Sequence, residues 1–399
     1  MLTLKNKTDC CGCGACAEIC PKSCIKMQQD REGFYYPNLW AETCNDCGLC
    51  EKVCPIIQVD KEIPFEQSGY LVQHRNEKIR RESTSGGAFT AIAQEILKQN
   101  GYVFGAAYTD NFVVKHIAVD KESDLWRFRN SKYVQSQTWE AFFAAKKLLA
   151  NDKYVCFSGT PCQIEGLKRY LRKYYEKLIT VDVVCRAVPS PLVFEKYLQM
   201  QRANCGKDKI KNILFRDKHY GYKYSNMTIK KEDKTCVYAR GVESDPMLRA
   251  FFSNICDRPS CYDCKFKKRY RVSDFTIWDC FSVYDFNKEM DDDKGTTRVI
   301  IHSDKGRKLF EKIKTNINFH AVDPDDLVFN VKEMFHSVKK SDKREAFMND
   351  VSNLSGKELF QKWFPDSITV KVKRFCRLAL IKAGIYQITK RVIKTVLRE

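Results

Sequence analysis

The chain has 399 residues, enough for two or three domains that each bury a core. Hydrophobic residues make up 44%, and no uninterrupted apolar run is long enough to span a bilayer, which excludes an integral membrane class and predicts a cytoplasmic protein, at most peripheral to the inner face of the membrane. The formal charge of +19 comes without a zinc finger, helix-turn-helix or RNA-binding aromatic motif, so nucleic acid is an unlikely partner and an acidic redox protein, anionic lipid or anionic substrate is favoured.

Twenty cysteines with nothing resembling a secretory signal imply a reducing compartment and metal ligation rather than cross-linking. Their organising pattern comes first. Cys10-x2-Cys13-x2-Cys16-x3-Cys20-Pro21 is repeated as Cys44-x2-Cys47-x2-Cys50-x3-Cys54-Pro55. This is the bacterial two-cluster ferredoxin spacing, in which the fourth thiolate of each run serves the other cluster. One 4Fe-4S cluster is therefore assigned to Cys10, Cys13, Cys16 and Cys54, and the second to Cys44, Cys47, Cys50 and Cys20. Gly12, Gly14 and Gly48 let backbone amides approach sulfur, and each proline ends a short helix. Ile25, Met27, Phe34, Tyr35 and Tyr36 are the expected core of this stretch, residues 1–60, with Cys11 and Cys24 as packing residues.

Residues 61–340 alternate strand and helix patterns as in an α/β domain. A strand at 70–73 leads to Ser83-Thr84-Ser85-Gly86-Gly87 and an amphipathic helix. That turn is either a phosphate seat or a plain N-cap by Ser83 or Ser85. Runs at 102–108 and 113–119 read as paired strands, and 138–149 as a helix. A buried strand at 154–157 ends in Gly159-Thr160-Pro161-Cys162, with a helix expected over 164–175, and another at 178–184 runs into Cys185. Ligands of α/β sheets gather beyond the carboxyl ends of strands, where both cysteines fall.

A β-rich patch over 210–238 precedes Arg258-Pro259-Ser260-Cys261-Tyr262-Asp263-Cys264. Cys162, Cys185, Cys261 and Cys264 form one candidate set for a third cluster; Cys256-x4-Cys261-x2-Cys264, a plant-type 2Fe-2S spacing, is the rival. Residues 291–297 read as an exposed acidic turn, and the six histidines show no ligand spacing. Residues 341–399 are a basic helical tail: Leu378, Ile381, Ile385, Ile388, Val392 and Val396 form a helical stripe among Lys371, Lys373, Arg374, Arg377, Lys382, Lys390, Arg391, Lys394 and Arg398. Such a helix either meets anionic membrane or an acidic protein, or packs its stripe on the α/β domain.

Taken together, Ser85-Gly86-Gly87, Ser131-Lys132-Tyr133-Val134-Gln135-Ser136, Gly159-Thr160-Pro161-Cys162-Gln163, Val188-Pro189-Ser190-Pro191, Phe215-Arg216-Asp217-Lys218 and the Arg258–Cys264 stretch resemble the coenzyme F420 hydrogenase/dehydrogenase beta subunit family. The resemblance implies an α+β and α/β protein: a bacterial ferredoxin-like domain, then an α/β domain carrying FAD and a further 4Fe-4S cluster, then the basic helix. It implies Cys162, Cys185, Cys261 and Cys264 as the ligands of that cluster, with Cys256 left to packing. It also implies Ser85, Gly86, Gly87, Ser131, Lys132, Tyr133 and Thr160 as flavin-lining residues. The activity it implies is electron transfer between a redox donor protein, such as reduced ferredoxin, and a small-molecule hydride acceptor. Cys185-Arg186-Ala187 and residues 276–281 depart from the family pattern, which bears on the acceptor rather than on the cofactors.

Overall fold

The alternating apolar runs become thirteen strands in a computed structural model, which describes residues 6–205, 210–386 and 389. Two compact units divide the chain: residues 1–192 with 257–340, and residues 193–256 with 341–399. The cysteine-rich stretch thus packs within the first unit, and the tail within the second.

In the first unit β1 (Ile25–Gln29) and β2 (Tyr35–Leu39) form an antiparallel hairpin between two short helices, Ala15–Ile19 and Leu49–Lys52. Each helix starts from a glycine in the left-handed region, Gly14 at φ 77° and Gly48 at φ 69°, a conformation that costs a side-chain-bearing residue about 1–2 kcal/mol. Ile25 and Phe34 are buried as expected, while Tyr35 and Tyr36 are half-buried and turn their backbone or rings to other partners.

The remainder of the unit is an eight-stranded mixed sheet, from β3 (Ser68–His74), β4 (Tyr102–Tyr108), β5 (Val114–Val119), β6 (Val155–Gly159), β7 (Leu178–Val183), β11 (Phe275–Asp279), β12 (Thr297–Ile301) and β13 (Ile317–Ala321). Their order is β13-β3-β12-β11-β7-β6-β4-β5. β4, β6, β7 and β11 are parallel, and β3 runs the same way, being antiparallel to β12, which is antiparallel to β11. Five carboxyl ends therefore share one edge, the edge where α/β sheets hold ligands.

Both faces of the sheet are covered. The helices Ala88–Lys98 and Asp304–Ile313 bury Ile92, Ile96, Leu309 and Phe310 against one core. The helices Trp139–Ala150 and Pro161–Leu171 bury Phe142, Ile164 and Leu167 in the other, and Cys13, Ala15 and Val53 of the cysteine-rich stretch complete that second core. The ferredoxin-type stretch is therefore docked on the sheet's helical layer, not tethered beside it.

Two expected boundaries move. The helix expected from 164 begins at Pro161, because Thr160 and Gln163 form a capping box, so Cys162 lies in its first turn. The helix after Ser85 is capped by Gly87 in the left-handed conformation rather than by Ser83 or Ser85.

The second unit joins β8 (Asn212–Asp217), β9 (Asn226–Lys230) and β10 (Cys236–Arg240), paired in the order β10-β9-β8, to helices at Pro246–Phe252, Arg344–Asn353, Gly356–Trp363 and Ile368–Lys382. Tyr197, Tyr238 and the Leu248 amide all donate to the buried Asp245 carboxylate, at 2.8, 2.8 and 2.7 Å; burial pushes that carboxyl up to about 6. Leu378 and Ile381 are half-buried here. Ile388, Val392, Val396, Lys390, Arg391, Lys394 and Arg398 lie outside the described residues. Among the described residues no helix is long and apolar enough to cross a membrane.

Candidate redox centre

The described cysteines are all free thiols, and they gather in three places. Cys16 feels burial first and then Cys10, Cys54 and Cys50, which raise it well above the ordinary thiol range. Cys13 interacts with Cys16 and Cys54, and Cys54 with Cys10, so the four sulfurs assigned to one cluster are neighbours. Cys20, Cys44, Cys47 and Cys50 line a single cavity together with Cys24, Ile25 and Leu39. Cys24 touches Cys20 at 3.2 Å, a contact that pushes it up to about 12. Both sets follow the crossed assignment read from the spacing.

The third group is assembled from distant segments. Cys162 follows β6, Cys185 follows β7, and Cys261 and Cys264 come from the turn Pro259–Asp263 and its end. Burial raises Cys261, followed by Cys185, Asp257, Cys264 and Cys162; burial likewise pushes Cys185 up to about 12, with Cys162 and Cys264 adding to it. All four thiols therefore sit within electrostatic reach of one another. Cys256, in the rival set, is fully buried and is not among the groups that perturb Cys261.

A thiolate cage needs positive charge, and three cations supply it here. The Lys267 ammonium donates to the carbonyls of Cys185, Arg186 and Glu333 at 2.5, 3.1 and 2.8 Å and lowers Cys185 and Cys264. Arg271 pairs with the buried Asp182 at 3.0 Å and acts on the same two thiols. Arg258, 1% exposed, is the third. Its guanidinium donates to the Cys10 carbonyl at 2.9 Å, the Cys10 sulfur at 3.6 Å, the Tyr35 carbonyl at 3.0 Å and Gln135 Oε1 at 3.3 Å, and stacks 4.1 Å from the Tyr36 ring centroid. Three residues further on stands Cys261, so one side chain links the first thiol set to the third.

Cys11 adds a second link. It hydrogen-bonds both Cys13 of the first set and Cys162 of the third, a place more specific than general packing. Gly166 of the cysteine helix makes the approach feasible: a Cβ there would lie 2.8 Å from the Cys13 sulfur. The sequence motif around Arg258 assigns that residue no role, because its partners lie 223 and 248 positions away. Its place just ahead of the Cys261–Cys264 pair is the one signal the sequence offers.

Among the described residues no three His, Cys, Asp or Glu side chains close on a single ion. An iron–sulfur cube binds its thiolates on separate irons, so the donor chemistry of the three sets suits clusters rather than a mononuclear ion.

The residues expected to line a flavin fall on the same sheet edge but are largely engaged. Ser85 and the Gly86 amide bond Thr297 Oγ1, both at 2.8 Å, and a Cβ on Gly86 would stand 2.1 Å from the Val72 carbonyl. The double glycine is thus explained by close passage over β3 and β12. Thr84 reaches Ser131 at 3.1 Å, which brings the two loops together. The Lys132 ammonium donates to the carbonyls of Arg127, Arg129 and Asn130 at 2.8, 3.2 and 3.2 Å, and burial lowers it to about 7. It organises its own loop rather than presenting itself to a pyrophosphate. Thr160 contacts Cys162 at 3.1 Å, and Tyr133 is half-buried. A flavin fits this edge less well than clusters fit the cysteines.

Other expectations resolve more simply. Asp292 of the acidic turn is held bidentately by Arg80 at 2.7 and 2.5 Å. His74, His116 and His302 are buried structural residues: His116 bonds Ser136 and Ser158, and His302 bonds Gln67 and Thr276.

Comparison with known proteins bears on this arrangement. Residues 9–56 match the 4Fe-4S dicluster domain, and residues 152–326 match the C terminus of the coenzyme F420 hydrogenase/dehydrogenase beta subunit. The chain belongs to the coenzyme F420 hydrogenase/dehydrogenase beta-subunit family, with a dicluster ferredoxin domain at its N-terminal end. The matched C-terminal family segment contains Cys162, Cys185, Cys261 and Cys264, and the dicluster match contains both cysteine runs. Among solved structures, a chain of the F420-reducing [NiFe] hydrogenase complex from Methanosarcina barkeri is similar at 14% identity, with 78% of this chain and 97% of that chain covered and a TM-score of 0.45. No curated protein matches the chain significantly. A beta-subunit family member with a dicluster domain is an iron–sulfur protein of electron transfer.

Proposed function

We propose that the protein relays single electrons through three 4Fe-4S clusters between a ferredoxin-type donor and an organic two-electron acceptor. The observation that carries this reading is the meeting of Cys162, Cys185, Cys261 and Cys264 from separate segments, beside the first ferredoxin set and within a ring of cations. Two clusters are held by the crossed ferredoxin sets and the third by this convergent set; bound clusters supply one-electron transfer over a wide range of potentials. The chain's own residues do the rest. The exposed Cys47 and its neighbours Asn45 and Asp46 leave the second set open to a redox partner, while the first set is buried against the sheet's helices. Arg258, Lys267 and Arg271 offset the negative charge of ligated sulfur, favouring the reduced state.

The two-electron group implied by the family resemblance is FAD. Gly87, Ser131, Tyr133 and Thr160 remain the positions able to line it, since Lys132, Ser85 and Gly86 already have protein partners. That engagement is also what favours a second reading, a non-catalytic electron-transfer subunit that hands electrons to a separate enzyme. Anaerobic purification distinguishes the two. The full proposal expects about 12 iron per chain with one flavin; about 12 iron without flavin supports the carrier subunit, and about 8 iron removes the third cluster.

A further inference from the structure

The helix Ile368–Lys382 is turned the unusual way round. Helices of globular proteins bury an apolar stripe and expose a charged face. Here the buried face carries Val370 at 8% exposure together with two arginines that bond inward. Arg374 donates to the Ala239 carbonyl at 3.3 Å, and Arg377 pairs with the Glu243 carboxylate at 2.8 Å. Those two bonds fix the rotation of the helix about its axis. The opposite face then presents Ile368, Val372 and Phe375 at 81, 54 and 73% exposure, with the exposed Ala379 continuing the line. Their positions, i, i+4, i+7 and i+11, form one stripe along the helix. It is distinct from the Leu378–Ile381–Ile385 stripe expected from the sequence.

The rim of this stripe is basic. Lys371 and Lys382 lie on one side and Lys373 on the other, all exposed, and the helix contains no Asp or Glu. Lysines are depleted from the centres of protein–protein interfaces. On a bilayer they reach sideways and upward to headgroup phosphates while the apolar row sinks among acyl chains. We propose that this helix is an interfacial anchor that lays the protein on an anionic lipid surface, with Phe375, Ile368 and Val372 as the inserted residues and Lys371, Lys373 and Lys382 as headgroup contacts. The arginines turned inward are what hold the apolar row outward, so the anchor is built in and requires no rearrangement. The inference is independent of the cofactor content proposed above.

The test uses the full chain, purified anaerobically, and sedimentation with vesicles of phosphatidylcholine alone or phosphatidylcholine with phosphatidylglycerol. Binding is expected to the anionic vesicles, weakened by salt, and lowered roughly tenfold by Phe375→Glu. Lys371→Glu/Lys373→Glu should reduce the anionic preference without abolishing weak binding to neutral vesicles. Because these side chains are exposed, thermal unfolding of both variants should match the parent, which separates lost binding from lost folding. Three results overturn the proposal: parent protein left in the supernatant with both vesicle types; Phe375→Glu bound as tightly as the parent; or a parent dimer in solution that Phe375→Glu turns into a monomer, which would make a second copy of the chain the cover of this face.

Discussion

The two halves of the ferredoxin stretch carry the same local chemistry and meet opposite surroundings. Gly14 and Gly48 follow Cys13 and Cys47, adopt nearly the same left-handed conformation, and each starts a short helix. Yet a Cβ on Gly14 would lie 2.9 Å from Trp139, whereas a Cβ on Gly48 would meet nothing within 4 Å. Gly12 is hemmed in similarly by Gln135 and Arg258, and the Thr138 hydroxyl donates to the Cys13 carbonyl at 2.8 Å. Cys13 is buried and Cys47 exposed. A duplicated motif has thus been divided into an inner half that docks and an outer half that faces solvent, and the division gives a symmetric cofactor holder a direction.

The strongest test of that division is Arg258→Met, which removes the inner half's buried cation and leaves the Cys10 and Tyr35 carbonyls without this donor. A loss of about 3–5 kcal/mol is expected in chemical denaturation of the intact protein. In the gentler Arg258→Gln, an EPR-monitored titration should show a lower reduction potential for the inner clusters, because a cation stabilises the more negative reduced state. Unchanged potentials would break the comparison.

Gly14→Ala and Gly48→Ala sharpen it more directly. Both incur left-handed strain of about 1–2 kcal/mol. Only Gly14→Ala adds the clash with Trp139, for a total of about 2–4 kcal/mol. Equal destabilisation by the two variants would mean that the inner half is not packed as described.

Acid separates the sheet from the cysteine-rich stretch, since residues 6–60 contain no histidine. Burial lowers His116 to about 4 and His302 to about 3. Both fall below the ordinary histidine value of about 6.5, so the unfolded chain takes up protons first. Their stabilising contribution is complete above pH ~6.5 and is lost as pH falls toward 4 and then 3. Denaturation midpoints should therefore drop between pH 7 and 5, with His116→Gln flattening the slope.

The smallest effect is expected from Cys11→Ser, which should keep the full iron content where Cys13→Ser loses about four iron. Iron lost from the Cys11 variant would make Cys11 a ligand rather than a neighbour of both sets.

How legible all this was in the sequence depended on distance along the chain. The crossed ferredoxin sets were readable because the spacing itself turns three sulfurs around one cube and points a fourth away. β4, β5, β6 and β7 were readable because their buried runs are short and bounded by turns. Cys162 and Cys185 could be placed at strand ends, but gathering them with Cys261 and Cys264 required the resemblance, since sheet order is set by long-range pairing. Arg258's role was not legible, because nothing local marks which of many arginines is buried. The outward face of Ile368–Lys382 was equally hidden: its rotation is set by the Ala239 carbonyl and Glu243, more than a hundred residues upstream. The Gly86–Gly87 pair suggested a phosphate seat and instead answers to the Val72 carbonyl.

Arg258 also limits how modular this protein is. Its side chain reads the backbone of Cys10 and Tyr35 and the ring of Tyr36, so the larger domain recognises its own cluster carrier by shape and charge. A foreign dicluster ferredoxin spliced on ahead of residue 61 would bring its irons but not this socket, and the chimera would hold two electron stores with no shared wall between them.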